Sequence, residues 1–323
     1  MSDPSKTPDP SKGTAPSEAP DPPKMSDQCA RRHSQYVHHA YAYGLAGQVE
    51  SPFRHTINTQ ASAVLGASGG RAYQRVENFQ LDGIVHFKAA YVEVGGRFDE
   101  CHNRHTSYAT AVIEGLNILD VFTADKVVSR MAIYSAEVGK KPGQKNGEAT
   151  FDITGSHFVN LRIAGHPINV KLDTHVFHEH ESYSQLVSGH KGGKLRYCLV
   201  ESGFSELDES ALKELEVEYH ALAGMSEIVE KWKKEGERPP ERTSYSFSPV
   251  SHLKIEEHVG ATELRGFGSI ICIPKFGVVR LAEMNVTPSC RSLTMFRVQM
   301  CSTGTGSTDG TGTGGSGGSP PSL

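Results

Sequence analysis

IVHFKAAYVEVGG, residues 84–96, is the stretch of sequence that decides the fold class of this chain. Apolar and polar side chains alternate within it among β-branched and aromatic residues, which is typical of a β-strand. Similar short apolar runs occur at residues 127–134, 270–273, 278–281 and 293–300, and they are separated by Gly, Asn, Asp and Pro residues. The sequence therefore predicts a mainly β fold.

One eight-residue pattern occurs three times, at residues 76–83, 113–120 and 158–165. It reads apolar, any, Asn or Gly, apolar, any, apolar, any, Gly or Asp. Recurrence at such spacings is typical of stacked repeats, although short strands that end in glycine are common in any β-rich chain. Two architectures stay open, a solenoid-like stack of short strands and a β-sandwich.

Residues 205–235 break the β pattern and predict one inserted helical segment. Their apolar residues, among them Leu212, Leu215 and Tyr219, recur near one helical face, and Asp208 can cap the start. We expect this apolar stripe to pack on the β body, and a partner-binding helix is the alternative.

The two ends of the chain differ in composition from its centre. Residues 1–27 are rich in Pro, Ser, Asp and Lys, and residues 302–323 are rich in Gly, Ser and Thr. Neither segment can bury enough apolar surface to offset chain entropy. The sequence predicts a disordered tail at 1–27, a β-rich domain at 28–301 and a flexible, disordered tail at 302–323.

Charge and hydropathy weigh against two classes of partner. The net charge of −4 is spread without a basic stripe, so we expect no nucleic-acid binding. No run of about 18 apolar residues is present, so we expect no membrane span. The N-terminus lacks a basic start followed by an apolar run, and the six cysteines form no CxxC pair. These features predict free thiols and a soluble protein that is cytoplasmic, or exported without an N-terminal signal peptide.

Histidine is abundant, and the densest group is DTHVFHEHE, residues 173–181. In an extended strand His178 and His180 share one face, and His175 or a neighbouring strand can supply a third ligand. Neutral imidazole is a common ligand of zinc and iron. We therefore consider His175, His178 and His180 as candidate ligands of a divalent metal, with a solvated loop as the alternative.

A second group, Cys101, His102, Arg104 and His105, lies within five residues. Basic neighbours favour the thiolate, which is the nucleophilic form of cysteine. A surface loop with a free cysteine is the alternative, because catalytic pairs are normally assembled from distant parts of the sequence.

The chain resembles the choice-of-anchor P family of bacterial surface proteins. The resemblance lies in AYGL at 42–45, VIEGLNIL at 112–119 followed by TADKV at 123–127, SHFVNLRIAG at 156–165, PKFG at 274–277, and the closing strand at 293–298. It implies an all-β extracellular domain with no assigned catalysis, so it assigns no site residue.

These observations favour a non-catalytic β-rich structural or binding protein. The first alternative is a metal-dependent enzyme that uses His175, His178 and His180. The second is a self-assembling structural subunit, suggested by the recurring pattern. The expected partner is accordingly another protein or another copy of the chain.

Overall fold

The computed structural model of the chain describes residues 36–49, 55–81, 83–136, 149–174, 182–186, 207–219, 222, 226–227, 245–256, 263–300 and, for the backbone, 306–317. These residues belong to one compact unit, Tyr36–Leu323. The predicted tail at 1–27 lies outside the described residues. Among those residues, no helix combines the length and the apolar character that a membrane span requires.

The first antiparallel sheet, sheet I, has eight strands, with the order β13-β14-β15-β16-β17-β1-β2 and with β11 paired to β15. Its strands are β1 (His38–Val49), β2 (His55–Val64), β11 (Tyr245–Phe247), β13 (Arg265–Phe267), β14 (Ile270–Ile273), β15 (Gly277–Val286), β16 (Arg291–Met300) and β17 (Gly306–Gly317).

The second antiparallel sheet, sheet II, has nine strands, with the order β12-β10-β9-β6-β5-β4-β3 and with β7 and β8 paired to β6. Its strands are β3 (Gly70–Leu81), β4 (Val85–Asp99), β5 (Arg104–Ile118), β6 (Phe122–Ala136), β7 (Thr150–Asp152), β8 (His157–Val159), β9 (Arg162–Ile163), β10 (His166–Leu172) and β12 (Val250–Ile255).

The two sheets pack face to face around one apolar core. Phe122 of sheet II stacks on Phe296 of sheet I, with ring centroids 4.7 Å apart. At Gly44 the sheets come close, because a Cβ there would lie 3.1 Å from the Cβ of Ala90. Buried residues alternate with outward ones along β5, as the period-two pattern predicts. The mainly β fold is confirmed, in the form of a β-sandwich-like arrangement.

The predicted helical segment is confirmed over the part that the structure describes. Helix α1 spans Glu209–Glu218, and the Asp208 side chain caps it by accepting a hydrogen bond from the Ala211 N–H. Leu212 and Leu215 are buried against the outer face of β14 and β15, in a cluster separate from the main core. The apolar stripe of this helix therefore packs on the β body, as expected.

The recurring eight-residue pattern has a local backbone cause. Its third position is Asn78, Gly115 or Asn160, and all three residues have a positive φ, of 54°, 65° and 50°. The strand register aligns these positions, through Lys88 and Asp125 of the intervening strands, in one row across sheet II. We call this row the crease. The three copies are thus strand segments that kink at the same level of one antiparallel sheet.

The structure differs from the sequence-based prediction at the C-terminal tail. Residues Gly306–Gly317 form β17, which pairs with β1 on one side and with β16 on the other. Composition predicted flexibility because glycine and threonine bury little apolar surface. Here the backbone is stabilised by hydrogen bonds to both neighbours, and glycine permits close approach of adjacent backbones. The remainder of 302–323 lies outside the described residues.

Candidate functional site

The outer face of sheet II carries a band of tyrosine and arginine side chains across β3 to β6. Val92 is buried, so its neighbours Tyr91 and Glu93 face outward. The register extends this alternation across the sheet, since Glu93 lies opposite Thr110 and Thr110 lies opposite Arg130. We call the outward set the tyrosine–arginine face. It comprises Arg71, Tyr73, Arg75, Tyr91, Glu93, Arg97, Arg104, Tyr108, Arg130 and Tyr134.

Glu93 is held at both carboxylate oxygens. Its Oε1 accepts a 2.6 Å hydrogen bond from the Tyr108 hydroxyl, and its Oε2 accepts a 2.9 Å hydrogen bond from the Arg71 guanidinium. The hydrogen bond from Arg71 is the main cause that lowers the pKa of Glu93, and the bond from Tyr108 lowers it further. Glu93 is therefore an ionised acceptor with two fixed donors.

The Tyr108 ring is fixed by the backbone beneath it. A Cβ at Gly95 would lie 2.3 Å from a ring carbon of Tyr108, so the ring occupies the space that only glycine leaves open. Burial, followed by the hydrogen bond to Glu93, raises the pKa of the Tyr108 hydroxyl. The phenol is consequently neutral near pH ~7 and presents a rigid, partly exposed ring.

The arginines of this face differ in their partners. The Arg104 guanidinium lies over the Tyr134 ring, 4.2 Å from the ring centroid, and its Nε is 3.7 Å from the Asp99 carboxylate. Among the described residues, neither Arg97 nor Arg130 pairs with a carboxylate, and both are exposed. Two positive charges on this face are thus available to a ligand.

The surface between Arg97 and Arg130 is centred on Tyr108 and includes three smaller side chains. Arg97 lies opposite Thr106 on β5, and Arg130 lies opposite Thr110 on the other side of the same strand. Strand geometry separates the two Cα atoms by about 14 Å along the strands and about 10 Å across them. The outward side chains between them are those of Thr106, Tyr108, Thr110 and Ala132, so an extended ligand that reaches both guanidinium groups passes over the Tyr108 ring.

A second polar cluster lies inside the sandwich, at the start of β1. The Nδ1 of His38 is 3.0 Å from the Ser107 hydroxyl, and the Tyr36 hydroxyl donates a 3.0 Å hydrogen bond to Ser135. The Tyr36 and His105 rings stack with centroids 3.9 Å apart. Ser107 is only 1% exposed and His38 only 5% exposed, so no substrate reaches this serine–histidine pair. The cluster is part of the core.

The candidate metal ligands His175, His178 and His180 lie outside the described residues, so the metal site stays a prediction. Asp173, just before them, is described, and its N–H donates a 2.7 Å hydrogen bond to the Pro249 carbonyl. Among the residues that the structure describes, no group of three or more His, Cys, Asp or Glu side chains is arranged to hold a metal ion.

The Cys101 group is not brought together. Cys101 is exposed in the turn between β4 and β5. The His102 Nδ1 lies 2.8 Å from the Asp99 carboxylate, whereas His105 faces the interior and stacks on Tyr36. The basic residues near Cys101 in sequence thus diverge, because successive strand residues point to opposite faces.

The tyrosine–arginine face was not predicted as a site. A usable signal was present, because the alternation that places Val92 and Val94 inside also places Tyr91 and Glu93 outside. Pairing of Glu93 with Arg71 and Tyr108 depends on which strands are neighbours. That adjacency could not be read from the separate strand segments.

A family model matches residues 36–287, and its description is domain of unknown function, DUF8256. The match covers well over half of the chain, which therefore belongs to this family. Neither the curated proteins nor the solved structures contain a significant match.

Proposed function

We propose that this DUF8256 domain is a non-catalytic binding module that recognises an acidic segment of a partner protein on its tyrosine–arginine face. The observation that carries the proposal is the pair Arg97 and Arg130, which are exposed and, within the described part of the chain, free of carboxylate partners. Tyrosine and arginine are also the side chains enriched where protein interfaces are strongest.

The chemistry of the face supports binding rather than catalysis. A general acid or base needs a pKa near the working pH and freedom to exchange its proton. The pKa of Glu93 is lowered, mainly by Arg71, and the pKa of Tyr108 is raised, mainly by burial. Both shifts move the groups away from neutral pH, which suits fixed hydrogen-bonding partners.

Charge and shape together favour an acidic, extended ligand. Glu77 and Asp99, at the margin of the face, already lie near Arg75 and Arg104, at 2.6 and 3.7 Å. The positive charges on this face that no nearby carboxylate neutralises are those of Arg97 and Arg130. Carboxylates spaced along a polypeptide can meet both guanidinium groups, while apolar side chains contact the Tyr108 and Tyr134 rings.

Binding of oligo-glutamate and oligo-lysine peptides of equal length tests the proposal directly. We expect the full chain to bind oligo-glutamate in isothermal titration calorimetry, with an affinity that decreases as salt increases. Arg97→Ala and Arg130→Ala should each weaken binding by about tenfold, because each removes a charge-assisted hydrogen bond. Lys254→Ala, a change at an exposed position of β12, is the matched control and should bind like the unchanged protein.

Three results would contradict this proposal. Equal binding of the two peptides would mean that the face does not select negative charge. Unchanged affinity in the two arginine variants would place the binding site elsewhere. Tighter binding of a sulfated oligosaccharide than of oligo-glutamate would replace the protein segment by a glycan.

The metal-dependent enzyme is the second hypothesis, and it has a separate test. One zinc or iron ion per purified chain, lost in a His178→Ala/His180→Ala variant, would support it. Absence of bound metal would remove its basis. The result is independent of peptide binding, so the two hypotheses can be distinguished.

For the location of this domain we propose the cytoplasm, a reducing compartment, with export from the cell as the alternative. Support comes from Cys101, Cys272 and Cys290, which are free thiols in the described part of the chain. The alternative accords with the resemblance to bacterial surface proteins.

A further inference from the structure

We propose that two copies of this chain associate through the exposed edge of β3, in one defined antiparallel register. The strand lies at the end of sheet II and pairs with β4 on one side. Among the described residues, no strand pairs with its other side. The Gln74 side chain there accepts a hydrogen bond from the Ser62 N–H of β2, but within the described part of the chain the backbone of this edge carries no strand pairing and can take another strand.

The exposure of β3 fits this role. Its twelve residues are all exposed or half-buried, including Ala72 and Val76 on its inner face. Tyr73 is 55% exposed. A strand at the margin of a sandwich normally buries the side chains of its inner face. A strand from a second copy, paired with β3, would therefore bury Ala72 and Val76 more fully.

The sequence of β3 is complementary to itself about Gln74. A twofold axis through Gln74 places Arg71, which binds Glu93 of its own chain, opposite Glu77 of the second copy, which lies beside its own Arg75, and the same contact occurs on the other side of the axis. On the same face it places Tyr73 opposite Arg75, an aromatic ring against a guanidinium group. On the inner face, Ala72 lies opposite Val76.

Neighbouring registers are unfavourable. Moving the axis to Tyr73 sets Arg71 opposite Arg75 of the second copy, and moving it to Arg75 sets that arginine opposite itself. Like charges directly opposite one another destabilise an antiparallel pair. The charges of β3 thus disfavour the two neighbouring registers. An axis at Val76 would pair Arg75 with Glu77, but it would place the kinked Asn78 inside the paired segment.

The backbone also limits the length of the pairing. Asn78 has a positive φ of 54° and interrupts the flat run that begins at Gly70. Gly70 lies opposite Asn78 in the proposed register, so the paired segment ends at the same residues in both copies. Because a twofold contact uses the same edge on both molecules, the association closes as a dimer.

Exchanging the charges at positions 71 and 77 tests the register. Sedimentation velocity measures the mass of the protein in solution. The full chain should reach twice its own mass as concentration increases. Arg71→Glu sets two carboxylates opposite one another, and Glu77→Arg sets two guanidinium groups opposite one another. Each variant should weaken dimerisation by about tenfold or more, since each contact occurs twice. The double variant R71E/E77R restores opposite charges and should restore the dimer.

Controls separate this effect from loss of folding. Arg162→Glu makes the same charge change at an exposed position of β9 and should leave the dimer unchanged. Thermal unfolding of every variant should remain cooperative. A monomer at high concentration, or a dimer insensitive to both single variants, would overturn the proposal.

A cysteine pair tests the twofold axis itself. The cysteines Cys29, Cys101, Cys198 and Cys301 are first replaced by serine. In this background Gln74→Cys should form an intermolecular disulfide on mild oxidation, because the two Cβ atoms lie about 5 Å apart. Ala72→Cys, whose copies would be about 13 Å apart, should not. Equal crosslinking of both variants, or of neither, would overturn the register.

Discussion

Buried and exposed polar residues of this domain are fixed by different contacts. On the surface, Glu93 is held by two donors, and Tyr108 lies flat above Gly95. In the interior, His38 is held against Ser107 and close to the rings of Tyr36 and His105. The surface groups are held in a fixed outward geometry, whereas the interior His38 should make the stability of the fold depend on protonation.

His38 should make the stability of the domain depend on pH. Burial lowers the pKa of His38, because the imidazolium form loses solvation. Below about pH 6.5 the unfolded chain therefore binds this proton more readily than the folded chain does. We expect the free energy of unfolding to be largest above that pH and to decrease as the pH falls. Urea unfolding at a series of pH values measures this slope.

The matched variants for this effect lie on opposite faces of β1. His38→Gln removes the titrating group and should flatten the slope, whereas His39→Gln, at an exposed neighbouring position, should leave it unchanged. The rings of Tyr36 and His105 pack against His38, Arg291 is an electrostatic neighbour of Tyr36, and all three residues are retained in both variants. An unchanged slope in His38→Gln would assign the pH dependence to another group.

At the scale of elements, strand positions were predicted well and strand partners were not. Short apolar runs marked β14 and β15, and alternation marked β16, because these strands bury one or both faces. The recurring pattern at Asn78, Gly115 and Asn160 was interpreted through its spacing along the chain, whereas its cause is a kink that aligns only in the folded sheet. Pairing is a property of neighbouring strands, which periodicity within one strand does not contain.

Substitutions in the crease should distinguish its kinked positions from ordinary strand positions. Gly115 has a φ of 65°, and a Cβ there would lie 3.1 Å from the Cβ of Lys88. Gly115→Ala should therefore lower the free energy of unfolding by about 1–2 kcal/mol. Asn78→Gly keeps the positive φ accessible and should change the free energy of unfolding by less than about 0.5 kcal/mol. Thermal unfolding measures the stability change in both variants. An unchanged stability in Gly115→Ala would contradict the requirement for a positive φ in the crease.

At the scale of the whole molecule, the candidate site depends on long-range pairing. Arg71 and Tyr108 come from strands on either side of β4, and both bind Glu93 on that strand. Each residue could be placed on an outward face from the sequence, yet their convergence required the order of strands in sheet II. The C-terminal segment shows the same limit more strongly, because its composition gave no sign of a strand.

Removal of β17 should therefore unfold the domain. The strand lies in the interior of sheet I, between β1 and β16, so its loss would expose the backbone groups of both neighbours and divide the sheet. A chain ending at Cys301 should lose cooperative thermal unfolding and its strand signal in circular dichroism. A chain ending at Gly317 retains β17 and should unfold like the full chain. If the shorter chain also unfolded cooperatively at an unchanged temperature, residues 302–323 would be a tail, as their composition indicates, and β1 and β16 would need another partner.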